Sequence, residues 1–477
     1  MSDSRRNFLK KSGLLGAGML AGRTVASGQH QGHVPPPPQT QPPKKSAPQS
    51  SGAATVLVET PDVTKLPWTL DNGVKVFHLT AEVVKTTLLP GREMYGWGYN
   101  GSVPGPTIEI NEGDRVRIIL HNKLPEPTTI HWHGLEVPLN MDGAPFISQP
   151  PVEPGGTFTY EFTLNQNGTF FYHSHGAMQE MMGMIGLFII HPKKPHTPYC
   201  HKDFGLILQE WALLPNNLVP NSLAMEFNWL TINGKAGPAT TPMIVKQGER
   251  VRIRMVNLGM DHHPMHVHGN QFYVTGTEGG RIPETGWFPG NTVLVGVAQA
   301  RDIEFDAVYP GDWMLHCHLP HHMMNQMVSM VGPMSHGGHG LQTGGGMEEG
   351  MGIVRQGHAL SEDMGPKLGR GMGDTTEQDR NTSNLVGPNG QQDQANMQQE
   401  AMKKRVPGYP QDMIMIMDKE VAKPHTYGLP PGWTASMMGM MTLIRVLPPN
   451  MYDEVQRRIK AGIVEPPAAV PGHKHEP

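Results

Sequence analysis

Apolar and polar positions alternate along several short stretches of the chain. Ile108 and Ile110, then Val116, Ile118 and Leu120, recur at every second position, and Glu112-Gly113-Asp114 interrupts them. Successive side chains of an extended strand point to opposite faces, so each run predicts a strand and the interruption a turn. The same text returns downstream, where Gly248-Glu249-Arg250-Val251-Arg252-Ile253 repeats Gly113-Asp114-Arg115-Val116-Arg117-Ile118. At that offset His131 and His133 fall on His266 and His268. Further on, Gly168-Thr169-Phe170 before His173 matches Gly311-Asp312-Trp313 before His316. Matches that keep their order mean one β-domain present twice. Short strands and turns predict an all-β chain built of two tandem β-sandwiches, over residues 54–198 and 199–334.

The flanks read differently. Arg5-Arg6 precedes a weakly apolar run, residues 13–22, too short for the roughly 20 residues a bilayer span needs. Paired arginines before such a run resemble a twin-arginine export signal, here residues 1–28 with cleavage near Ala26. The expectation is therefore export by the twin-arginine translocase to the periplasm, with no stable membrane insertion. Residues 29–53, with Pro35-Pro36-Pro37-Pro38, form an extended linker. Residues 335–405 are rich in Gly, Gln, Asp, Asn and Met without periodicity and are expected to be disordered. Residues 406–477 form a C-terminal extension with an apolar patch at Met437, Met438, Met440 and Met441 and a helical candidate from Tyr452 to Lys460.

Composition narrows the chemistry. The 477 residues carry 38 Lys and Arg against 42 Asp and Glu, a net charge of −4, which argues against nucleic acid as a partner. Two cysteines exclude a disulfide framework. The outliers are 25 His and 33 Met, both potential metal ligands. Four clusters concentrate the histidines: His131-Trp132-His133, His173-Ser174-His175, His263-Pro264-Met265-His266-Val267-His268, and His316-Cys317-His318 continuing to His321, His322 and Met327. On a strand each His-x-His pair sets two imidazoles roughly 7 Å apart on one face. The same rule turns Cys317 to the face opposite His316 and His318, so one strand can serve two metal sites back to back. A thiolate, two imidazoles and a thioether are the ligands of a blue-copper site. Cys317, His322 and Met327 supply three, and His263 is the candidate fourth. Zinc would more often take several cysteines, and only Cys200 remains. Cys200 has no histidine cluster at ligand spacing and reads as a structural thiol.

These clusters in this order resemble the multicopper oxidase family, and most closely its two-domain bacterial members, the small laccases. The resemblance covers residues 54–333. It extends to Met141-Asp142-Gly143-Ala144-Pro145, Gln149, Pro154-Gly155 and Tyr160-Glu161-Phe162, similar to the family's first-domain signature. Too few residues lie between His175 and His263 for the additional domain of three-domain relatives. The resemblance implies cupredoxin-like Greek-key sandwiches and four copper ions per active unit. A type 1 copper would take His263, Cys317 and His322, with Met327 as weak axial ligand. The type 2 copper would take His131 and His266. The two type 3 coppers would take His133, His173 and His318, and His175, His268 and His316. It also implies dioxygen as acceptor, a small reducing substrate or Cu(I) as donor, a homotrimer in which neighbouring chains share a cluster, and Asp142 as a proton donor.

The duplication adds a deduction of its own. Aligning the copies sets Ser174 against Cys317, Gln179 against His322, Thr128 against His263 and Met184 against Met327. The first copy lacks thiolate and imidazoles and cannot hold a blue copper. The expected activity is laccase-like: one-electron oxidation of a phenolic, aromatic or metal-ion donor coupled to four-electron reduction of dioxygen. Rival readings are a cuprous oxidase, a copper-sequestering tolerance protein suited by Met178, Met181, Met182, Met184, Met323, Met324, Met330 and Met334, and a copper nitrite reductase. The last would need its blue copper in the first copy, where Ser174 stands.

Overall fold

The structure is a computed structural model describing residues 55–176, 178–213, 217–225, 227–323 and 416–465. The expected export signal, the proline-rich linker, the segment 335–405 and Met327 lie outside the described residues.

Two β-sandwiches carry the repeat. In the first, a five-stranded sheet runs in the order Trp68–Asp71, Val74–Leu89, Arg115–Asn122, Thr157–Thr163, with Arg92–Tyr99 also on Val74–Leu89. It faces a four-stranded sheet ordered Gly105–Asn111, Ile185–His191, Gly168–Ser174, Ile130–His133. The second copy repeats both patterns. Lys202–Trp211 pairs parallel with Arg250–Asn257, as Val74–Leu89 does with Arg115–Asn122. Met243–Lys246 pairs parallel with Met441–Leu447, as Gly105–Asn111 does with Ile185–His191. Parallel neighbours require the chain to cross over between sheets, so the same crossover is present twice.

Each sandwich closes on its own apolar core. Phe77, Leu79, Ile108, Ile118, Trp132, Tyr160 and Phe188 fill the first; Phe204, Ile253, Met265, Phe272, Ile303, Leu315 and Cys317 help fill the second. The alternation read at 108–120 is present, with Gly113 at φ +95° in the turn. Gly168–Ser174 and Ile185–His191 are buried at every position and show no alternation, because their outer face is covered as well. There Phe171, Ile185, Leu187 and Ile189 pack on Ile207, Val256, Leu258 and Ala300 of the second sandwich. Polar ties reinforce this seam: Thr169 donates its hydroxyl to Asp302 (2.7 Å), and Arg254 donates to Thr169 (2.7 Å).

The C-terminal segment lies within the second sandwich. Met441–Leu447 sits between Met243–Lys246 and Gly311–Cys317 as an interior strand of that sheet. The helix expected at 452–460 runs from Pro449 to Ala461, with proline in its first turn and Gly462 at φ +64° ending it. Its Val455 and Ile459 pack on Ile244 and Leu447.

Candidate metal centre

Strand register assembles the histidines. In the first sandwich Ile130–His133 pairs with Gly168–Ser174, so His131 lies opposite His173 and Ile130 opposite Ser174. In the second, His263–Val267 pairs with Gly311–Cys317 in the same frame, placing His266 opposite His316 and Met265 opposite Cys317. Each pairing puts imidazoles on one face and residue 174 or 317 on the other.

On the inward face of the second copy, three donors converge. The Nδ1 atoms of His263 and His322 are 3.2 Å apart, and Cys317 Sγ lies 3.8 Å and 3.5 Å from them. All three side chains are buried. A trigonal metal with bonds of about 2.0 Å to nitrogen and 2.3 Å to sulfur needs edges of this size, about 3.5–3.7 Å. The donor set is therefore the His₂Cys set of a blue-copper site, and the residues fit the metal. Burial pushes the Cys317 thiol up to about 12 without a metal. His262 and His321, the chain neighbours of His263 and His322, are exposed.

Two carboxylates orient these imidazoles, and neither carries a sequence signature. Glu210, fully buried, accepts from His263 Nε2 (3.1 Å) and from the Asp261 amide (2.9 Å), and it also accepts from the Met260 amide. A carboxylate can only accept, so the hydrogen of His263 sits on Nε2 and Nδ1 faces Cys317 with its lone pair. Gly259 leaves the room: a Cβ there would stand 2.1 Å from both Glu210 oxygens. Asp261 lies 3.4 Å from His322 Nε2, and this contact holds its carboxyl below the usual range. Only the fold brings the strand Lys202–Trp211 and the turn at 259–261 to this site.

The equivalent pocket of the first copy is closed by hydrogen bonds. Gln179 Oε1 accepts from Thr128 (2.7 Å) and Ser174 (2.6 Å), all buried. These are the residues that the duplication aligns with the three donors.

On the other face lie two imidazole quartets, His131, His133, His173 and His175 in the first sandwich and His266, His268, His316 and His318 in the second. Within each, neighbouring ring centroids are 5.0–6.4 Å apart. Among the described residues no ring contact joins one quartet to the other. His131, His173, His266 and His316 hold Nδ1 at 2.7–2.8 Å from the carbonyls of Asp142, Ser174, Asn291 and Cys317. Carbonyls only accept, so these rings carry hydrogen on Nδ1 and keep the lone pair on Nε2, which in His316 and His173 lies 3.0 Å from His268 Nε2 and 3.3 Å from His133 Nδ1. Burial, then His173 and His131, drives His133 down to about 4; burial also lowers His131, His268 and His316. Such rings are neutral at pH 7, as metal ligation requires. His175 and His318 are exposed, and His266 and His268 line an open cleft of about 650 Å³ with Asn270, Pro289 and Thr292.

Asp142 ends a short 3₁₀ turn, and its carboxylate lies 3.4 Å from His131 Nδ1. The turn holds because Gly143, at φ +89°, lies against the Ile130 carbonyl where a Cβ would clash. Cys200 is buried, with its thiol pushed up to about 12 by desolvation. Met437, Met441, Leu429 and Leu443 form a buried cluster on which Met314, Met323 and Trp433 pack. Met324, Met330 and Met334 lie outside the described residues.

Paired cupredoxin-like sandwiches, with a buried His₂Cys set in one of them, define a copper protein. The description Multicopper oxidase matches residues 80–195 and again residues 214–333. The chain is 33% identical to the blue copper oxidase of Nitrosomonas europaea, covering 53% of this chain and 81% of that one, at a TM-score of 0.49. It is 32% identical over 230 residues to the multicopper oxidase mco of Staphylococcus aureus, covering 45% of this chain and 50% of that one. It is 40% identical over 124 residues to copper resistance protein A of Pseudomonas syringae pv. tomato, covering 26% of this chain and 20% of that one. The chain thus spans half or less of the length of these two curated relatives. It belongs to the multicopper oxidase family, whose models match once on each of its two sandwiches.

Proposed function

We propose that this protein is a laccase-like oxidase that couples one-electron oxidation of a small donor to reduction of dioxygen to water. The observation that carries the reading is a single strand end, Gly311–Cys317. It aims a buried thiol at two imidazoles on one face, and its neighbours His316 and His318 at an imidazole quartet on the other. His263, Cys317 and His322 hold the type 1 position. His131 and His266 serve the type 2 position, and His133, His173, His318 and His175, His268, His316 the type 3 pair. Copper in these positions supplies stepwise acceptance of single electrons and their joint delivery to dioxygen. Cys317 joins the two faces covalently, since both flanking histidines are its peptide neighbours. The hydrogen-bonded Thr128, Ser174 and Gln179 leave the first sandwich no thiolate or imidazole on its inward face, so each chain has one such thiol site.

Each quartet offers half of the eight imidazoles. The exposure of His175 and His318, and the open cleft at His266 and His268, support completion of the cluster by a second copy. We take the assembly to be a homotrimer with domain one, 54–198, facing domain two of the next chain, which adds the strand Met441–Leu447 to the expected 199–334. Asp142, beside His131, would deliver protons during oxygen reduction. Residues 1–28 would direct the protein to the periplasm.

The methionine cluster that includes Met323, the chain neighbour of His322, favours a second reading of the donor, because thioethers suit Cu(I). In that case a cuprous oxidase, with phenol oxidation secondary, describes the activity better. Copper reconstitution followed by visible and EPR spectra tests the scheme. The expectation is a blue protein holding four copper ions per chain in the assembly and, for Cys317→Ser, loss of the thiolate band with the remaining copper signals retained. A protein that never turns blue would refute it. Oxygen uptake with Cu(I) against a phenol then identifies the donor; uptake with neither would leave copper sequestration as the function.

A further inference from the structure

Resting on the copper reading of Cys317, His263 and His322, we infer that the axial donor of this site is Met440, not Met327. The chain makes an excursion of residues 323–439 inside its own ligand loop. The internal duplication carries the argument. In the first sandwich, Met181-Met182-Gly183-Met184 runs directly into the strand Ile185–His191. In the second, Met437-Met438-Gly439-Met440 runs directly into Met441–Leu447. The two strands hold the same place in their sheets, each antiparallel to the strand that ends at Ser174 or Cys317 and each parallel to a second strand.

The backbone register agrees residue for residue. The Ser174 amide donates to the Met184 carbonyl (3.1 Å), and the Cys317 amide donates to the Met440 carbonyl (3.0 Å). The Met184 amide donates to the Gln179 carbonyl (3.4 Å), and the Met440 amide donates to the His322 carbonyl (2.9 Å). Gly183 and Gly439 both take positive φ, +112° and +64°. Since Ser174 and Gln179 occupy the places of Cys317 and His322, the methionine tied to both by backbone bonds is Met440 in the second copy. Its side chain is fully buried, in the same core as Cys317 and Met265. The methionine ten residues after Cys317, Met327, would take the place of Met184 only if the loop were as short as in the first copy. There residues 180–183 bridge Gln179 to Met184; here residues 323–439 bridge His322 to Met440. The C-terminal segment is therefore part of the metal site.

The test compares M440L, M440Q, M327L and M327Q in the full-length, copper-loaded protein. It reads the reduction potential by redox titration of the blue band, and the EPR of the type 1 copper. Leucine matches methionine in volume and removes the sulfur, so M440L raises the potential. Glutamine supplies a harder oxygen donor, so M440Q lowers it and changes the EPR hyperfine splitting. M327L and M327Q leave both where they are in the unsubstituted protein. A potential that moves with residue 327, or one indifferent to both substitutions at 440, overturns the assignment; the 327 variants decide even if those at 440 fold poorly. An unsubstituted protein without a blue band would overturn the proposed function, and the assignment with it. Blue protein whose potential follows residue 327 overturns the assignment alone.

Discussion

Glu210 is a buried carboxylate that orients His263 and that sequence did not reveal. Its carboxylate receives three donors: His263 Nε2, the Asp261 amide and the Met260 amide. In Glu210→Gln the amide group opposes at least one of these donors. A buried donor left without its charged acceptor costs about 1.5–3 kcal/mol. Because that bond fixes which nitrogen of His263 faces Cys317, the cost falls on the metal-bound state. Copper affinity at this site should drop about 10- to 100-fold, the range seen for partners that orient metal-bound histidines. The assay is a competitive copper titration followed at the blue band. Gly259→Ala gives an internal control, since its Cβ would stand 2.1 Å from both carboxylate oxygens. It should reproduce the Glu210→Gln phenotype, and the double variant should be little worse than either single one, as coupled neighbours require. Wild-type affinity and an unchanged blue spectrum in Glu210→Gln would refute the role of this carboxylate.

Other consequences can be checked separately. Asp142→Asn should slow turnover with dioxygen by about 10²–10⁴-fold while the blue band still bleaches at its normal rate under anaerobic donor; equal slowing of both half-reactions would remove Asp142 from proton delivery. Thr169→Val strips buried Arg254 and Asp302 of a shared partner and should destabilise the seam by about 1–3 kcal/mol, seen as a lower calorimetric transition temperature; an unchanged thermogram would count against it. Burial would push Glu304 up, but Arg252 and Arg281 outweigh it and hold the carboxyl at about 2. A folded-state value below the unfolded one contributes stability above about pH 4.5 that is lost as pH falls toward 2, here on the order of 3 kcal/mol. Glu304→Gln should flatten that acid limb in urea titrations at graded pH, and a limb as steep as in the unsubstituted protein would argue otherwise.

Much of this protein is legible along the chain. Period-two runs and the Arg-Val-Arg-Ile text that follows Gly-Asp in one copy and Gly-Glu in the other determine the strands and their duplication, because alternation is a local property of extended backbone. His-x-His spacing determines which imidazoles share a face for the same reason. Cys317 could be assigned to the opposite face before any pairing was known. The partners of those residues are another matter. Glu210 and Asp261 reach the imidazoles only because a neighbouring strand and a turn are folded beside them, and a single carboxylate in a strand carries no signature. The strand Met441–Leu447 was invisible as part of the second sandwich, since a long intervening segment hides its kinship with Ile185–His191. Side-chain alternation is set within a few residues, whereas sheet order is set by which distant strand buries which face. That decision belongs to the tertiary structure, and with it the place of Met440 beside Cys317.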